Sequence, residues 1–237
     1  MLQLSKRHDL IECPFYKGDN KEKLANLLEI DIDELIKITN IITYKTFSIS
    51  KKNSEKKRLI TAPNEKLKII QRRVLFLFQK NILPDWLMSG SKGKSYKSNG
   101  LAHINSNYCL IMDIENFYDN CKREAVYNFF NTKLFTSPDI SELLTNIVTY
   151  KGIIPTGAPT SQLIAYYAYE DMFYEINELA KKYDCIFTLY VDDMTFSSNK
   201  PLPKNKIISE INNILSNYKH KLKLNKNSCS QIFINMV

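Results

Sequence analysis

No apolar run in the 237-residue sequence reaches the roughly 18 residues that a membrane-crossing helix requires. The first ten residues, MLQLSKRHDL, lack the apolar core of a secretory signal, so a cytoplasmic setting is the default expectation. No CxxC pair occurs among Cys13, Cys109, Cys121, Cys185 and Cys229, which argues against a zinc ribbon. In a reducing compartment the same scatter argues against a disulfide scaffold. No internal repeat and no long linker interrupt the chain. Hydrophobic residues make up 44%, enough for one good core or a core with two lobes, and too many for a disordered chain.

What is present is unevenly distributed. Residues 41–100 carry 14 Lys/Arg against 3 Asp/Glu, whereas residues 101–200 carry 7 against 13. Residues 201–237 return to an excess of five positive charges. A polyanion gripped by the basic parts, with metal ions in the acidic centre, accounts for this pattern. Ordinary solvated lysines in a Lys-, Asn- and Ile-rich composition account for it as well.

Hydrophobic spacing organises the rest. Residues 20–40 read as short helical pieces, with Asp31 as a candidate N-cap of the second. The runs TFSI and RLITA, separated by KKNSEKK, read as a hairpin with a basic tip. After Pro63, EKLKIIQRRVLFLFQKNIL reads as a strong helix, followed by a Gly/Ser/Lys loop over 88–99. Strands are expected at 108–114 and 186–197, and helices at 121–131, 139–149, 160–181 and 204–218. This order predicts an α+β architecture.

The most informative stretch is Tyr190-Val191-Asp192-Asp193, inside the β-prone run IFTLYVDDMTF. Two adjacent carboxylates at a turn between apolar strands repel each other and lose hydration. A divalent cation is the common remedy, because hard cations take carboxylate oxygens. Asp113 ends another apolar strand, Cys109-Leu110-Ile111-Met112, and would emerge beside the pair if the strands associate. Asp113 and Asp192 are the candidate bridging ligands of two metal ions, with Asp193 a weaker or structural partner. Such a site performs phosphoryl or nucleotidyl transfer.

The ordered motifs then carry a resemblance. MDIENFYD is similar to motif A of reverse transcriptases, IPTGAPTSQ to motif B, and YVDD to motif C. KKRLITAPNEKLKIIQRRV resembles the finger segment shared by retron and group II intron enzymes. Asn99-Gly100-Leu101-Ala102-His103 resembles the retron NAxxH motif, with Gly for Ala, and His103 lies ten residues before Asp113. The likeness covers roughly residues 30–230. It implies a right-hand polymerase fold of fingers and palm, with an antiparallel palm sheet flanked by helices. The implied divisions are an N-terminal helical region over 1–40, basic fingers over 41–107, and a palm over 108–230. Residues 231–237 would then begin a thumb-proximal segment, so the thumb that grips a primer–template is expected to lie outside this sequence.

The resemblance also implies roles. Tyr118 would stack under the incoming sugar and exclude a 2′-hydroxyl, selecting dNTPs; the alternative is a core tyrosine. Phe117, pointing the other way along a strand, would be core. Arg58 and Lys57 would grip the triphosphate, a task suited to a guanidinium. Gly157 and Ala158 would leave room for nucleotide and template, and Pro159 with Thr160/Ser161 would start a helix. Thr156 stands where the family usually has Gln, and Gln162 where it has Pro; the first departure bears on rate or fidelity rather than on the metal site. Lys226 would be the motif D lysine. Lys66, Lys68, Arg72 and Arg73 could follow an RNA backbone, and Asn99 and His103 would contribute RNA contacts. His103 could equally be a satisfied core histidine. The group Tyr166, Tyr167, Tyr169, Phe173 and Tyr174 reads chiefly as a buried helix.

The implied activity is RNA-directed DNA polymerisation with dNTPs and two Mg²⁺, or Mn²⁺ in their place. The implied partners are a structured noncoding RNA acting as primer and template, its cDNA, and an effector protein in antiphage defence, with no membrane. No RNase H-like carboxylate set is visible. Rival readings are a non-catalytic RNA-binding or scaffold protein with this fold, and another prokaryotic reverse-transcriptase lineage of group II intron-like or abortive-infection type.

Overall fold

The structure is a computed structural model that describes residues 9–50, 57–223 and 228–231. Its elements run α1 (Lys21–Leu28), α2 (Ile32–Ile36), α3 (Ile38–Ile41), β1 (Tyr44–Ser50), β2 (Lys57–Pro63), α4 (Glu65–Phe78) and α5 (Tyr96–Leu101). Then come β3 (Tyr108–Asp113), α6 (Phe117–Asn120), α7 (Arg123–Asn128), α8 (Pro138–Val148), α9 (Ser161–Ala168) and α10 (Glu170–Lys182). The hairpin strands β4 (Ile186–Tyr190) and β5 (Asp193–Ser198), α11 (Lys204–Asn217) and β6 (Ser228–Gln231) follow. Mixed helices and antiparallel sheets make this an α+β protein. No helix among the described residues is long and apolar enough to cross a membrane.

The chain folds as two compact units, each assembled from two separate stretches. The first comprises Met1–Ile82 and Cys121–Ala168. Its centre is α4, whose Leu67, Ile70, Val74, Leu77 and Phe78 recur at helical spacing and are all buried. Asn64 starts this helix by accepting the Leu67 N–H on its side chain. The Phe78 ring meets Phe15, Phe129, Phe130 and Tyr167 within a single aromatic cluster. Gln71, fully buried on the same helix, donates to the Ile147 carbonyl and the Tyr44 hydroxyl, which satisfies its amide nitrogen. Strands β1 and β2 pair antiparallel from Tyr44↔Pro63 to Ser50↔Lys57, the expected hairpin; its tip, 51–56, lies outside the described residues.

The second unit comprises Leu83–Asn120 and Tyr169–Val237. It carries a four-stranded antiparallel sheet in the order β4-β5-β3-β6. Alternation sorts its side chains by face. Leu110, Met112, Met194 and Phe196 lie on one face and are fully buried. Asp113, Asp193, Thr195, Ser197 and Thr188 share the other, polar face by register.

Two expectations need correction. The helix expected over 160–181 is two helices, α9 and α10, parted at Tyr169, whose backbone (φ −123°) leaves the helical range. Its aromatic side chains are core as expected: Tyr166, Tyr167, Tyr169 and Phe173 are buried, and only Tyr174 is exposed. The segment after Asp113 does not continue as a strand. Asn116 adopts a left-handed φ of 48°, α6 begins at once, and Phe117 and Tyr118 are therefore both buried rather than alternating.

Candidate active site

Asp113 closes β3 and faces Asp193 directly across the β3–β5 pair. In antiparallel strands directly opposed residues project to the same face, so the two carboxylates converge. Asp192 joins them from the two-residue turn Val191-Asp192 that links β4 to β5. Asp113 is buried and Asp192 and Asp193 are half-buried. The turn is strained: Val191 holds a φ of 61°, a region that β-branched residues rarely enter. Two hydrogen bonds hold it there. The Val191 N–H donates to Ser89 Oγ at 2.9 Å, and the Ile114 N–H donates to the Asp192 carbonyl at 3.1 Å.

Burial, then the charges of Asp113 and Asp193, push the Asp192 carboxyl up to about 7, far above its ordinary value. Three carboxylates in this arrangement suit a divalent cation, which would relieve the repulsion. Among the described residues no ready-made cage of three or more carboxylate, imidazole or thiol ligands closes around a point. An ion of the Mg²⁺ type fits such an open set, because it takes one or two carboxylates and completes its shell with water and phosphate oxygens.

A short strap runs antiparallel to the end of β3. Leu222 bridges Ile114, the Lys223 N–H donates to the Asp113 carbonyl, and the Glu115 N–H donates to the Lys221 carbonyl. The strap sets Lys223 Nζ 3.6 Å from Asp113 Oδ2 and Lys221 Nζ 2.9 Å from Glu115 Oε2. Behind Asp113, Phe117 packs on Tyr118, Tyr169, Phe173 and His220, so the Tyr118 backbone rests on a firm aromatic base. Tyr118 itself is 8% exposed.

The first unit holds the motif B segment. The Gly157 N–H donates to the Thr61 carbonyl at 2.9 Å. A Cβ on Gly157 would lie 2.7 Å from that oxygen and 2.9 Å from Ile60 Cγ2. The space expected to admit nucleotide and template is thus taken, on this side of the glycine, by β2. Thr156 Oγ1 accepts the Thr61 N–H and donates to the Leu59 carbonyl, a double clamp on the same strand. Ala158 is half-buried, and α9 starts at Ser161 as expected.

The remaining candidates separate. Lys57 and Arg58 belong to β2, opposite Ser50 and Ile49, but their side chains lie outside the description, as does Lys226 altogether. Lys66 is paired with Glu34, Lys68 with Glu65, and Arg73 with Glu29 and the Leu27 carbonyl. Arg72 is exposed on α4. Asn99 is half-buried on α5, with its Oδ1 enclosed. Of its two expected readings, His103 takes that of a satisfied core histidine. It is 5% exposed, and its ring is wedged between Ser197 Oγ (Nδ1, 2.6 Å) and Thr188 Oγ1 (Nε2, 2.6 Å). Both ring nitrogens are engaged, so His103 pins α5 to the polar face of the sheet; burial pushes its pKa down. Sequence reasoning missed Ser89 and Lys223. Ser89 had no signal. Lys223 had one: Lys221-Leu222-Lys223 repeats at spacing two, as do Asp113 and Glu115.

Comparisons with known proteins bear on this geometry. The family described as "Reverse transcriptase (RNA-dependent DNA polymerase)" matches residues 49–232. The retron Se72 reverse transcriptase of Salmonella heidelberg (strain 579083-10) is 28% identical over 205 residues, 84% of this chain and 54% of that protein. The retron Ec86 reverse transcriptase of Escherichia coli is 32% identical over 181 residues, 73% of this chain and 55% of the relative. The retron Ec48 reverse transcriptase of Escherichia coli is 26% identical over 220 residues, 86% and 53% respectively. The chain spans about half the length of these curated relatives.

Proposed function

The chain belongs to the reverse transcriptase (RNA-dependent DNA polymerase) family, and from that premise we propose that it supplies the fingers and palm of a retron-type RNA-directed DNA polymerase. Residues 41–107 are read as fingers and 108–230 as palm. The observation that carries the proposal is the meeting of Asp113, Asp192 and Asp193 at one sheet end, where burial and mutual repulsion drive up the Asp192 pKa. Sheet residues that served only stability would not be gathered against their own charge.

Asp113 and Asp192 would hold two divalent ions, Mg²⁺ or Mn²⁺, with Asp193 as the weaker partner. Bound there, the ions would activate the attacking hydroxyl and stabilise the leaving pyrophosphate. The chain's own residues orient the reactants. Tyr118, backed by Phe117, meets the sugar and refuses a 2′-hydroxyl. Arg58 with Lys57 steadies the triphosphate. Gly157 and Thr156 tie the motif B segment to β2, which carries those two cations, so one backbone network fixes both. The template and primer are read as one structured noncoding RNA, extended from a 3′- or 2′-hydroxyl into cDNA in the cytoplasm. An effector protein and a role in antiphage defence complete the proposal.

Primer extension by the full-length protein with its own RNA tests this reading. Metal-dependent dNTP incorporation is expected, lost in Asp192→Asn and shifted toward rNTP use in Tyr118→Ala. RNA binding without any incorporation by the unaltered protein would instead favour a scaffold role.

A further inference from the structure

We infer that Lys223 is a built-in counter-ion of Asp113 that competes with the divalent cation for that carboxylate. The inference rests on the proposed metal site and concerns a residue that neither the motifs nor the family reading assign.

Four observations carry it. First, Lys223 Nζ stands 3.6 Å from Asp113 Oδ2, and that carboxylate is only 5% exposed. Second, the lysine is not a loose surface side chain that happens to fall there. Its N–H donates to the carbonyl of Asp113 itself, and the next residue back, Leu222, is buried and bridged to Ile114. The Leu222 N–H donates to Asn212 of α11, which anchors the strap from its other side. Third, the pairing is written twice. The strap and the end of β3 run antiparallel, so Lys223 and Lys221 face Asp113 and Glu115 in register at the two-residue spacing of strands. Fourth, three carboxylates meet at this corner and Lys223 neutralises at most one of them, leaving negative charge that a doubly charged ion can still use.

The consequence is electrostatic. An ammonium and a divalent ion cannot share one carboxylate without repelling each other, so binding the metal requires Lys223 to withdraw. Its side chain is 41% exposed on a flexible four-carbon stem, and withdrawal into solvent is open to it. Lys223 therefore lowers the affinity of the nucleotide-free protein for the ion. It also neutralises Asp113 while the ion is absent. Lys221 pairs with Glu115 on the rim and has no such effect.

Direct Mn²⁺ binding to the full-length protein, without nucleotide, tests the inference by calorimetry or electron paramagnetic resonance. Lys223→Met should bind Mn²⁺ about fivefold more tightly, the effect expected on losing one partly exposed ion pair. Lys223→Arg should keep the unaltered affinity, and Lys221→Met should match it. Placing Lys223→Met on Asp113→Asn should remove the gain. Should Lys223→Met fold poorly, Lys223→Gln keeps most of the stem and serves in its place. Unchanged or weaker Mn²⁺ binding in Lys223→Met, or in Lys223→Gln used in its place, with the unaltered protein binding normally, overturns the counter-ion role alone. Absence of any Mn²⁺ binding that Asp113→Asn weakens overturns the metal site itself, and the counter-ion role with it.

Discussion

Replacing Gly157 by Ala should unfold the protein at a markedly lower temperature, for a reason confined to one methyl group. The added Cβ would sit 2.7 Å from the Thr61 carbonyl oxygen, 2.9 Å from Ile60 Cγ2 and 3.1 Å from Ala62 Cα. Two of these three atoms are backbone of a paired strand, which cannot turn aside as a flexible side chain would. The motif B segment must back away from β2, and the Gly157 N–H→Thr61 hydrogen bond at 2.9 Å lengthens or breaks. Overpacking of this kind costs about 1–3 kcal/mol and the hydrogen bond about 1 kcal/mol, so a loss of about 3 kcal/mol is expected. For a chain of this length that corresponds to a fall in Tm of about 6–12 °C. Thermal unfolding followed by far-ultraviolet circular dichroism measures it. Gly100→Ala is the matched control. It lies in α5 with nothing within 4 Å of the new Cβ, so helix propensity alone predicts a Tm that is unchanged or slightly higher. A Gly157→Ala protein that melts within about 2 °C of the parent would refute the steric argument, since no rotamer change can absorb a backbone contact.

Three further outcomes follow from the same geometry. Thr156→Val removes the acceptor for the Thr61 N–H and should cost about 1–3 kcal/mol in urea unfolding, whereas Thr156→Ser should cost less than 1 kcal/mol because the hydroxyl is retained. The buried His103 has its pKa pushed down by burial, so the unfolded chain takes up a proton near its ordinary value of about 6.5 while the folded protein takes it up only at lower pH. Its share of stability is complete above about pH 6.5 and drains as the pH falls below it, so the urea midpoint of His103→Gln should vary less between pH 7 and 5 than that of the parent. Asp192→Asn relieves like-charge repulsion and should raise Tm by a few degrees without divalent ions while abolishing incorporation; an equal or lower Tm would argue against the repulsion.

How far these features could be read from the chain depends on how local their causes are. Helix α4 was legible because its apolar stripe and the preceding Pro63 act within a few residues, and the Asn64 cap fixes its start just as locally, though it was not read from the sequence. The β4–β5 hairpin was legible from alternation and from the carboxylates at its turn. The break between α9 and α10 was not, because the residues on both sides are good helix formers. Tertiary demands decide there: Tyr169 reaches the Asn120 carbonyl, a partner 49 positions away, and packs edge-on against His220. For His103 the sequence left two readings open, because the hydroxyl partners that decide between them lie 85 and 94 residues further on, in β4 and β5. The aspartates were found as a set because their chemistry is improbable without a ligand. The lysine beside them was overlooked because single lysines are common.

The same contrast explains why the site carries strain that the rest of the sheet avoids. A two-residue turn between twisted antiparallel strands requires a positive φ, and Asn or Gly meets that need without penalty. Here the position is Val191, held at 61° by Ser89 on one side. The chain thus accepts a disfavoured backbone next to two carboxylates that repel each other and a third opposite them. Neither cost arises on the opposite face of the sheet, where Leu110, Met112, Met194 and Phe196 are fully buried. Lys223 offsets part of the charge, and a cation bound at the carboxylates would lower the free energy of the folded state further, the more so the tighter it binds. A sheet that had only to be stable would place Gly at 191 and separate the acids, so the unfavourable terms gathered at this one corner support the proposed cation site.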